Sequence, residues 1–365
     1  MTPFDFARIA RRRNGALISL ATPLQCSIVA ARSQYHYRNK LEYSFAQGPD
    51  GLVLGFHRAG RWDEVIDVEE CLLTTDLGNA IREAVKDWAR AEGLEPYDQE
   101  LQTGYLRHLV VREGRNTGQV LVMLVTAPGE SFDADFLIET LRRFPEVRSI
   151  HWAINDQPSE VTNLPSKLLW GEAWIEEEIL GLRYRVRPNA FMQTNTEMAE
   201  VLYALARDAA GLTGDEIVYD LYCGTGTIGL ALAPHAREVW GVEISEESVA
   251  CAIENATVNG IENTSFFAGN VGQSLEELRE RSGPPDVVVV DPPRAGLAGK
   301  ALRRTGALEA QRIVYVSCNP TTLASDLAVL RDEYGYALVR CTPVDMFPHT
   351  PHIESVSLLE RQPAS

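Results

Sequence analysis

Four consecutive valines, Val287-Val288-Val289-Val290, run straight into Asp291-Pro292-Pro293-Arg294. A strand with apolar side chains at every position has no face to offer water. It must be covered on both sides, which is the setting of a central strand in a parallel sheet. The flanking sequence fits that setting, because from about Leu212 strand and helix patterns alternate. Strands are expected at 217–221, 238–242, 265–268, 286–290 and 313–316, with helices at 227–233, 246–259, 271–282, 300–308 and 321–333 between or after them. Runs at 337–341 and 355–359 complete the sheet. The fold class predicted is α/β, a doubly wound, Rossmann-like domain with a mostly parallel sheet, whose ligands bind outside the carboxyl ends of the strands.

The first half reads differently. Strand patterns at 41–45 and 52–57 flank the turn Gly48-Pro49-Asp50-Gly51, and 105–112 with 119–126 resemble a hairpin. Helices are expected at 77–91 and 132–144, a strand at 149–155 and a polar surface loop at 155–165. This is a smaller α+β domain with antiparallel sheet, and 365 residues at 45% apolar content suffice for two packed cores. The division expected is 1–34 as an N-terminal remnant or linker, 35–180 as the α+β domain and 181–365 as the doubly wound domain.

Glycines supply the first chemical signal. Gly224-Thr225-Gly226-Thr227-Ile228-Gly229 follows the first strand of the alternating region and opens a helix, the arrangement that lets backbone and ligand approach closely. Gly241-Val242-Glu243 ends the next strand and puts an acid where ribose hydroxyls would lie. Both features suit any ribosyl cofactor. Asp291-Pro292-Pro293 discriminates: dehydrogenases need no such loop there, whereas many S-adenosylmethionine enzymes acting on nucleobases carry one.

Ser317-Cys318-Asn319-Pro320 follows the run 313–316, so Cys318 stands at the carboxyl end of a buried strand. A cysteine beside a strand is more often a small buried hydrophobe, the reading given to Cys223, Cys251 and Cys341. Cys318 differs because Asn319-Pro320 end the strand and leave it near the crevice. The helix expected from Thr321 would lower its pKa through the helix dipole. Glu354, before the last strand, is the candidate base, with Asp345, His349 and His352 as rivals.

Composition bounds the partners. A net charge of -17 and a pI near 4.9 argue against nucleic acid in general, although affinity depends on local patches. Arg38 with Lys40, and Arg58 with Arg61, are such patches. The six cysteines form no CxxC pair and no disulfide framework, and the apolar stretch 15–21 is too short to cross a bilayer. With no signal peptide evident, a cytoplasmic location and no membrane association are expected.

These residues together resemble the RNA uracil-5 methyltransferase family, which makes 5-methyluridine in ribosomal or transfer RNA. The shared motifs are Phe191-Met192-Gln193-Thr194-Asn195, Asp220-Leu221-Tyr222-Cys223-Gly224, Asp291-Pro292-Pro293-Arg294-Ala295-Gly296-Leu297, Ser317-Cys318-Asn319-Pro320 and Asp345-Met346-Phe347-Pro348-His349-Thr350 with His352-Ile353-Glu354. Tyr37-Arg38-Asn39-Lys40 is similar to the start of the family's central domain, so the likeness runs from about Tyr35 to the C-terminus.

The resemblance implies a methyl transfer from S-adenosylmethionine to C5 of a uridine in RNA, with Cys318 as nucleophile toward C6 and Glu354 as acceptor of the C5 proton. Gln193, Tyr222, Gly224, Gly226, Glu243, Asn270 and Asp291 would line the cofactor site. Phe191 would pack on cofactor or base, and Arg38, Lys40, Arg58 and Arg61 would meet phosphates from the RNA-contacting domain. It favours 23S ribosomal RNA over transfer RNA, and a monomer. The chain departs from the family pattern at its beginning, with no room for the frequent OB-like barrel. Of the four cysteines that often hold a [4Fe-4S] cluster, Cys71 resembles the last and only Cys26 precedes it, so no cluster is expected. An amino-group methyltransferase of adenine or guanine is weighed against, since Arg294 occupies the place of its usual stacking aromatic. A non-catalytic RNA-binding or assembly factor is weighed against by the intact glycine loop and the pair of Cys318 and Glu354.

Overall fold

The computed structural model describes residues 27–129 and 131–363; Cys26 lies outside them. The chain divides into two compact units, one formed by 35–179 and 184–190, the other by 180–183 and 191–365 together with residues before Tyr35. The chain therefore passes between the units more than once near residue 180.

The first unit is built on seven strands: β1 (Lys40–Gly48), β2 (Gly51–His57), β3 (Val65–Asp67), β4 (Leu106–Gly114), β5 (Gln119–Thr126), β6 (Val147–Ile154) and β7 (Ser166–Gly171). They lie in the order β3-β2-β1-β4-β5-β6-β7, antiparallel except for β5 beside β6. Helix α1 (Asp76–Glu92) starts where the Thr75 side chain accepts the Gly78 N–H and stops at Gly93, whose φ of 68° few other residues tolerate. Its buried Ile81, Val85, Trp88 and Ala89 recur at helical spacing and pack into the core with Leu54, Leu109 and Val122. Helix α2 (Ala134–Leu141) is shorter than the expected 132–144, because the Asp133 side chain accepts the Asp135 and Phe136 N–H groups and fixes its start. Phe132 is thereby released to pack edge-on against Trp88 and Trp152, with centroids 5.6 and 5.4 Å away. A hairpin of β8 (Ile175–Ile179) and β9 (Leu182–Val186) follows.

The second unit begins with helix α3 (Thr196–Ala210), absent from the sequence reading, and continues β10 (Ile217–Leu221), α4 (Thr227–Leu232), β11 (Glu238–Glu243), α5 (Glu246–Val258), β12 (Thr264–Ala268) and α6 (Val271–Ser282). It closes with β13 (Val287–Val290), α7 (Gly299–Ala307), β14 (Arg312–Ser317), α8 (Pro320–Tyr334), β15 (Tyr336–Val344) and β16 (Glu354–Arg361). The strand order is β12-β11-β10-β13-β14-β16-β15, parallel through β14, with β16 antiparallel between β14 and β15. All four valines of β13 are buried, as a strand covered on both faces requires. The strand order reverses between β10 and β13, and the carboxyl ends of these two strands border the crevice of a doubly wound sheet. Among the described residues no helix is long and apolar enough to cross a membrane.

Candidate active site

The site is built at the carboxyl ends of β10, β11, β12, β13 and β14, with the start of antiparallel β16 beside β14. At the end of β10 the chain turns sharply through Tyr222, a bulky residue held at φ 65° in the left-handed region. The turn is held by the Tyr222 and Cys223 N–H groups, which donate to the Val242 carbonyl at 2.9 and 3.1 Å. Gly226, at φ 80°, sits where a Cβ would press on Ala252 and Phe266 at 3.1 Å. Gly229 lets its N–H donate to Asp220 Oδ2 at 2.8 Å, where a Cβ would come within 2.7 Å of that oxygen. A Cβ at Gly224, at φ 54°, would meet nothing within 4 Å, so open space lies beside the loop. Two of the glycines therefore fix the loop and one keeps its surface clear.

Glu243, at the end of β11, accepts the Gly224 N–H on one carboxylate oxygen and the Ser245 N–H on the other, at 3.3 and 3.0 Å. It ties the glycine loop to the next helix while standing at the strand end expected for a ribose contact. Asn270 precedes α6, is exposed, and makes no side-chain capping bond. Gln193 is buried, whereas Phe191 is 64% exposed and its carbonyl accepts from the Thr225 hydroxyl at 3.4 Å.

Cys318 and Glu354 meet through sheet register. Ser317 of β14 pairs with Ser355 of antiparallel β16, so the next residues outward, Cys318 and Glu354, stand opposite one another. Glu354 is 4% exposed and its Oε2 has no hydrogen-bond partner among the described residues. Burial raises its carboxyl to about 8, with Asp291 adding to the rise and Arg294 opposing it. His352 and His349 are exposed and Asp345 is half-buried, so of the four candidate bases Glu354 is the one enclosed beside the thiol.

The expectation of an acidified thiol is corrected. Cys318 is half-buried, and burial, then Glu354, then Asp291 push its pKa above the ordinary thiol value, with Arg294 the opposing cation. The helix dipole does not prevail for a local reason. Pro320 at the start of α8 has no N–H, and the Thr321 N–H is already taken at 3.0 Å by the Asn319 side chain. Burial and the neighbouring carboxyls therefore oppose ionisation of this thiol.

Several positioning residues escaped the sequence reading. Asn319 donates from its side-chain amide to the Arg294 carbonyl at 3.0 Å, and the Thr322 hydroxyl donates there at 3.3 Å. Asp326, one further turn along α8, accepts the Leu297 N–H at 2.8 Å and the Tyr315 hydroxyl at 2.6 Å on the same oxygen. One face of α8 thus holds the loop of Asp291 and Arg294 against the loop of Cys318. The spacing of Asn319, Thr322 and Asp326 was the available signal. Asp220 is the other omission: fully buried, it has one oxygen without a partner and is raised to about 7 by burial, with Glu243 adding to the rise. Asp291 is raised to about 7 as well, by burial and then by Asp220.

The RNA-contact candidates lie in the first unit. Lys40 lies 2.6 Å from Glu42, and its pKa is lowered by burial and by Arg112. Arg58 and Arg61 occupy the exposed turn between β2 and β3, each 2.7 Å from a neighbouring acid, Glu64 and Asp63. Arg38 is half-buried. Cys71 is buried, and among the described residues no group of His, Cys, Asp or Glu is arranged to hold a metal.

The model of the tRNA (uracil-5-)-methyltransferase family matches residues 174–362, just over half of the chain. The chain belongs to that family. An RNA methyltransferase of Clostridium tetani, itself uncharacterized, is 40% identical over 92% of this chain and 74% of its own length. Another from Bacteroides thetaiotaomicron is 39% identical over 91% and 76%. The tRNA (uracil-54, C5)-methyltransferase of Pyrococcus abyssi, solved with S-adenosyl-L-homocysteine, superposes with a TM-score of 0.79 at 28% identity, covering 97% of this chain and 81% of that one. The protein is an S-adenosylmethionine-dependent RNA uracil-5 methyltransferase.

The residues present fit such a methyl donor. Three desolvated carboxyls, Asp220, Asp291 and Glu354, raise one another or their neighbours, and two carry an unpartnered oxygen. That surplus of buried acid calls for a cation, and the cofactor's sulfonium is one. Bound S-adenosylmethionine supplies an electrophilic methyl group. Gly224, Glu243, Asn270 and Asp291 are the residues that would hold it.

Proposed function

We propose that the chain methylates C5 of a uridine in RNA through a covalent adduct at Cys318. The Cys318 thiolate adds to C6 of the uracil, and the ring's electron pair moves to C5 and O4. C5 then forms its bond to the transferred methyl group. Glu354, as carboxylate, takes the proton from C5, the C5–C6 double bond re-forms, and the C6–S bond breaks to return the thiolate. Supporting this reading is the register that sets Cys318 opposite a buried carboxyl with an unpartnered oxygen. In the free site burial opposes the charged form of both groups, and Arg294 is the residue that favours those charged forms.

The proposed RNA is 23S ribosomal RNA, on the sequence resemblance. The Pyrococcus abyssi relative, whose substrate is tRNA, favours transfer RNA as the second reading. We assign phosphate contacts to Arg38, Lys40, Arg58 and Arg61 and a stacking contact to Phe191. Mapping 5-methyluridine in total RNA from cells with and without the gene decides between the substrates. Loss of the modification from 23S RNA supports the first reading, loss from tRNA the second, and no change in either removes the assignment.

A further inference from the structure

The first unit carries a recess of about 310 Å3 that no step of the reaction uses, bounded by the end of β1, the β2–β3 turn and residues 96–100. Its size is at the small end of ligand clefts. Trp62 lines it and is 60% exposed, an unusual cost for the largest apolar side chain on a turn of charged residues. The rest of the wall is held in place. Tyr97 stacks under the Arg107 guanidinium at 4.4 Å, and Arg107 also donates to the carbonyls of Asn155, Gln157 and Ser159, pinning the loop that brings Glu160 to the recess. The Gln99 amide donates to one Glu160 oxygen at 2.5 Å, and His57 Nε2 lies 2.5 Å from the other.

The polar groups left over are mostly acceptors, beside the His57 ring, whose Nδ1 has no hydrogen-bond partner among the described residues. Gln99 donates one amide N–H to Glu160, and Gln47 one to the Gly48 carbonyl at 3.0 Å. Each amide keeps a carbonyl oxygen and a second N–H, and the Asp98 and Glu100 carboxylates tip the lining toward acceptors. Acceptors beside an exposed indole suit a flat ring with N–H donors on its edge. The lining carboxylates repel phosphate, while Arg58 and Arg61 on the same turn stand in exposed ion pairs, which exchange readily for other anions.

We propose that this recess binds an unstacked nucleobase of the RNA that carries an exocyclic amino group, so a base other than the target uracil. Trp62 stacks on its face, Gln47 and Gln99 accept from its amino edge, and the flanking phosphates lie on Arg58 and Arg61. The proposal rests on the RNA-methylating reading above.

The test uses the full chain with fluorescent single-stranded oligo(A), oligo(C) and oligo(U) RNA. Wild type should bind oligo(A) and oligo(C) more tightly than oligo(U). Trp62→Ala should raise the Kd for oligo(C) about tenfold, as loss of one base–aromatic stack does, and Trp62→Phe should restore most of it. Gln47→Ala with Gln99→Ala should erase the preference over oligo(U). S-adenosylhomocysteine affinity reports folding and should stay constant. A Trp62→Ala protein that binds every oligonucleotide as wild type does overturns the proposal. So does an oligolysine peptide that outcompetes RNA for wild type but not for Trp62→Ala, since the recess would then hold a basic protein segment. If wild type methylates no RNA, the assigned reaction fails separately, and the oligonucleotide titration still decides the recess.

Discussion

The two units differ in the sign of the charge they leave incompletely paired in their interiors. In the first unit the enclosed cations each have at least one acceptor: Arg82 donates to the Leu54 and Glu69 carbonyls, Lys86 reaches both oxygens of Asp67, and Arg112 donates to the Ala190 carbonyl, while the Nε of Arg82 and of Arg112 has no partner among the described residues. In the second unit the enclosed charges are acids, and Asp220 and Glu354 each keep an oxygen without a partner. A buried guanidinium held by carbonyls fixes a fold, whereas a buried acid with an unpartnered oxygen leaves free energy to be recovered when a cation binds beside it. The contrast teaches which sign of ligand charge the interior of the second unit is suited to accept.

The contrast breaks most completely at the thiol. Cys318→Ala should lower turnover by at least about 10⁴-fold, as loss of a covalent nucleophile does, and should abolish any RNA–protein species resistant to denaturing electrophoresis. Retained turnover moves the nucleophile elsewhere. Glu354→Gln is next, at about 10²–10⁴-fold in turnover, the range for a general base. Its distinguishing sign is that the covalent RNA species accumulates while S-adenosylhomocysteine still binds. The first unit should respond in stability instead: Trp88→Ala, in the core against α1 and Phe132, should cost about 3–5 kcal/mol in a denaturant titration. A loss below about 1 kcal/mol would mean that the edge-on aromatic cluster contributes little.

The parts legible in the sequence are those whose physics is local. The valine run, the glycine turn and the strand-helix alternation announce β10 to α8, because each is a short pattern read in register. The pair of Cys318 and Glu354 was legible as two strand-end residues, but their opposition depends on β16 inserting antiparallel beside β14, which no local pattern states. Helix α3 was missed although Asn195 caps it by accepting the Met198 N–H. The direction of the Cys318 shift was missed for a related reason. A helix start is visible in sequence, whereas the carboxyls of Asp291 and Glu354 gather around the thiol only through tertiary structure. The clamp of Asn319, Thr322 and Asp326 needed the position of the Arg294 carbonyl, which is equally non-local.

The smallest expected effect tests the charge contrast directly. Glu354 is raised to about 8, and Asp220 and Asp291 to about 7, from ordinary values of 4.5 and 3.8. Each folded-state carboxyl therefore keeps a proton that the unfolded chain releases. Its contribution to stability is complete below the ordinary value and is lost as pH rises through the folded one. Ligand-free protein should thus unfold at lower urea at pH 8.5 than at pH 5.5, and Glu354→Gln should flatten the upper part of that slope. The same ionisation should be favoured by a cation. Affinity for S-adenosylmethionine relative to the uncharged thioether S-adenosylhomocysteine should rise about tenfold between pH 6 and pH 8.5, a modest share of what a charge pair at contact distance provides. The comparison of the two ligands isolates the sulfonium, because their adenosine and amino-acid parts are the same. A ratio that stays level across this range would show that the buried acids of the second unit do not serve the methyl donor's charge. Asp220, Asp291 and Glu354 would then be as structural as the paired cations of the first unit.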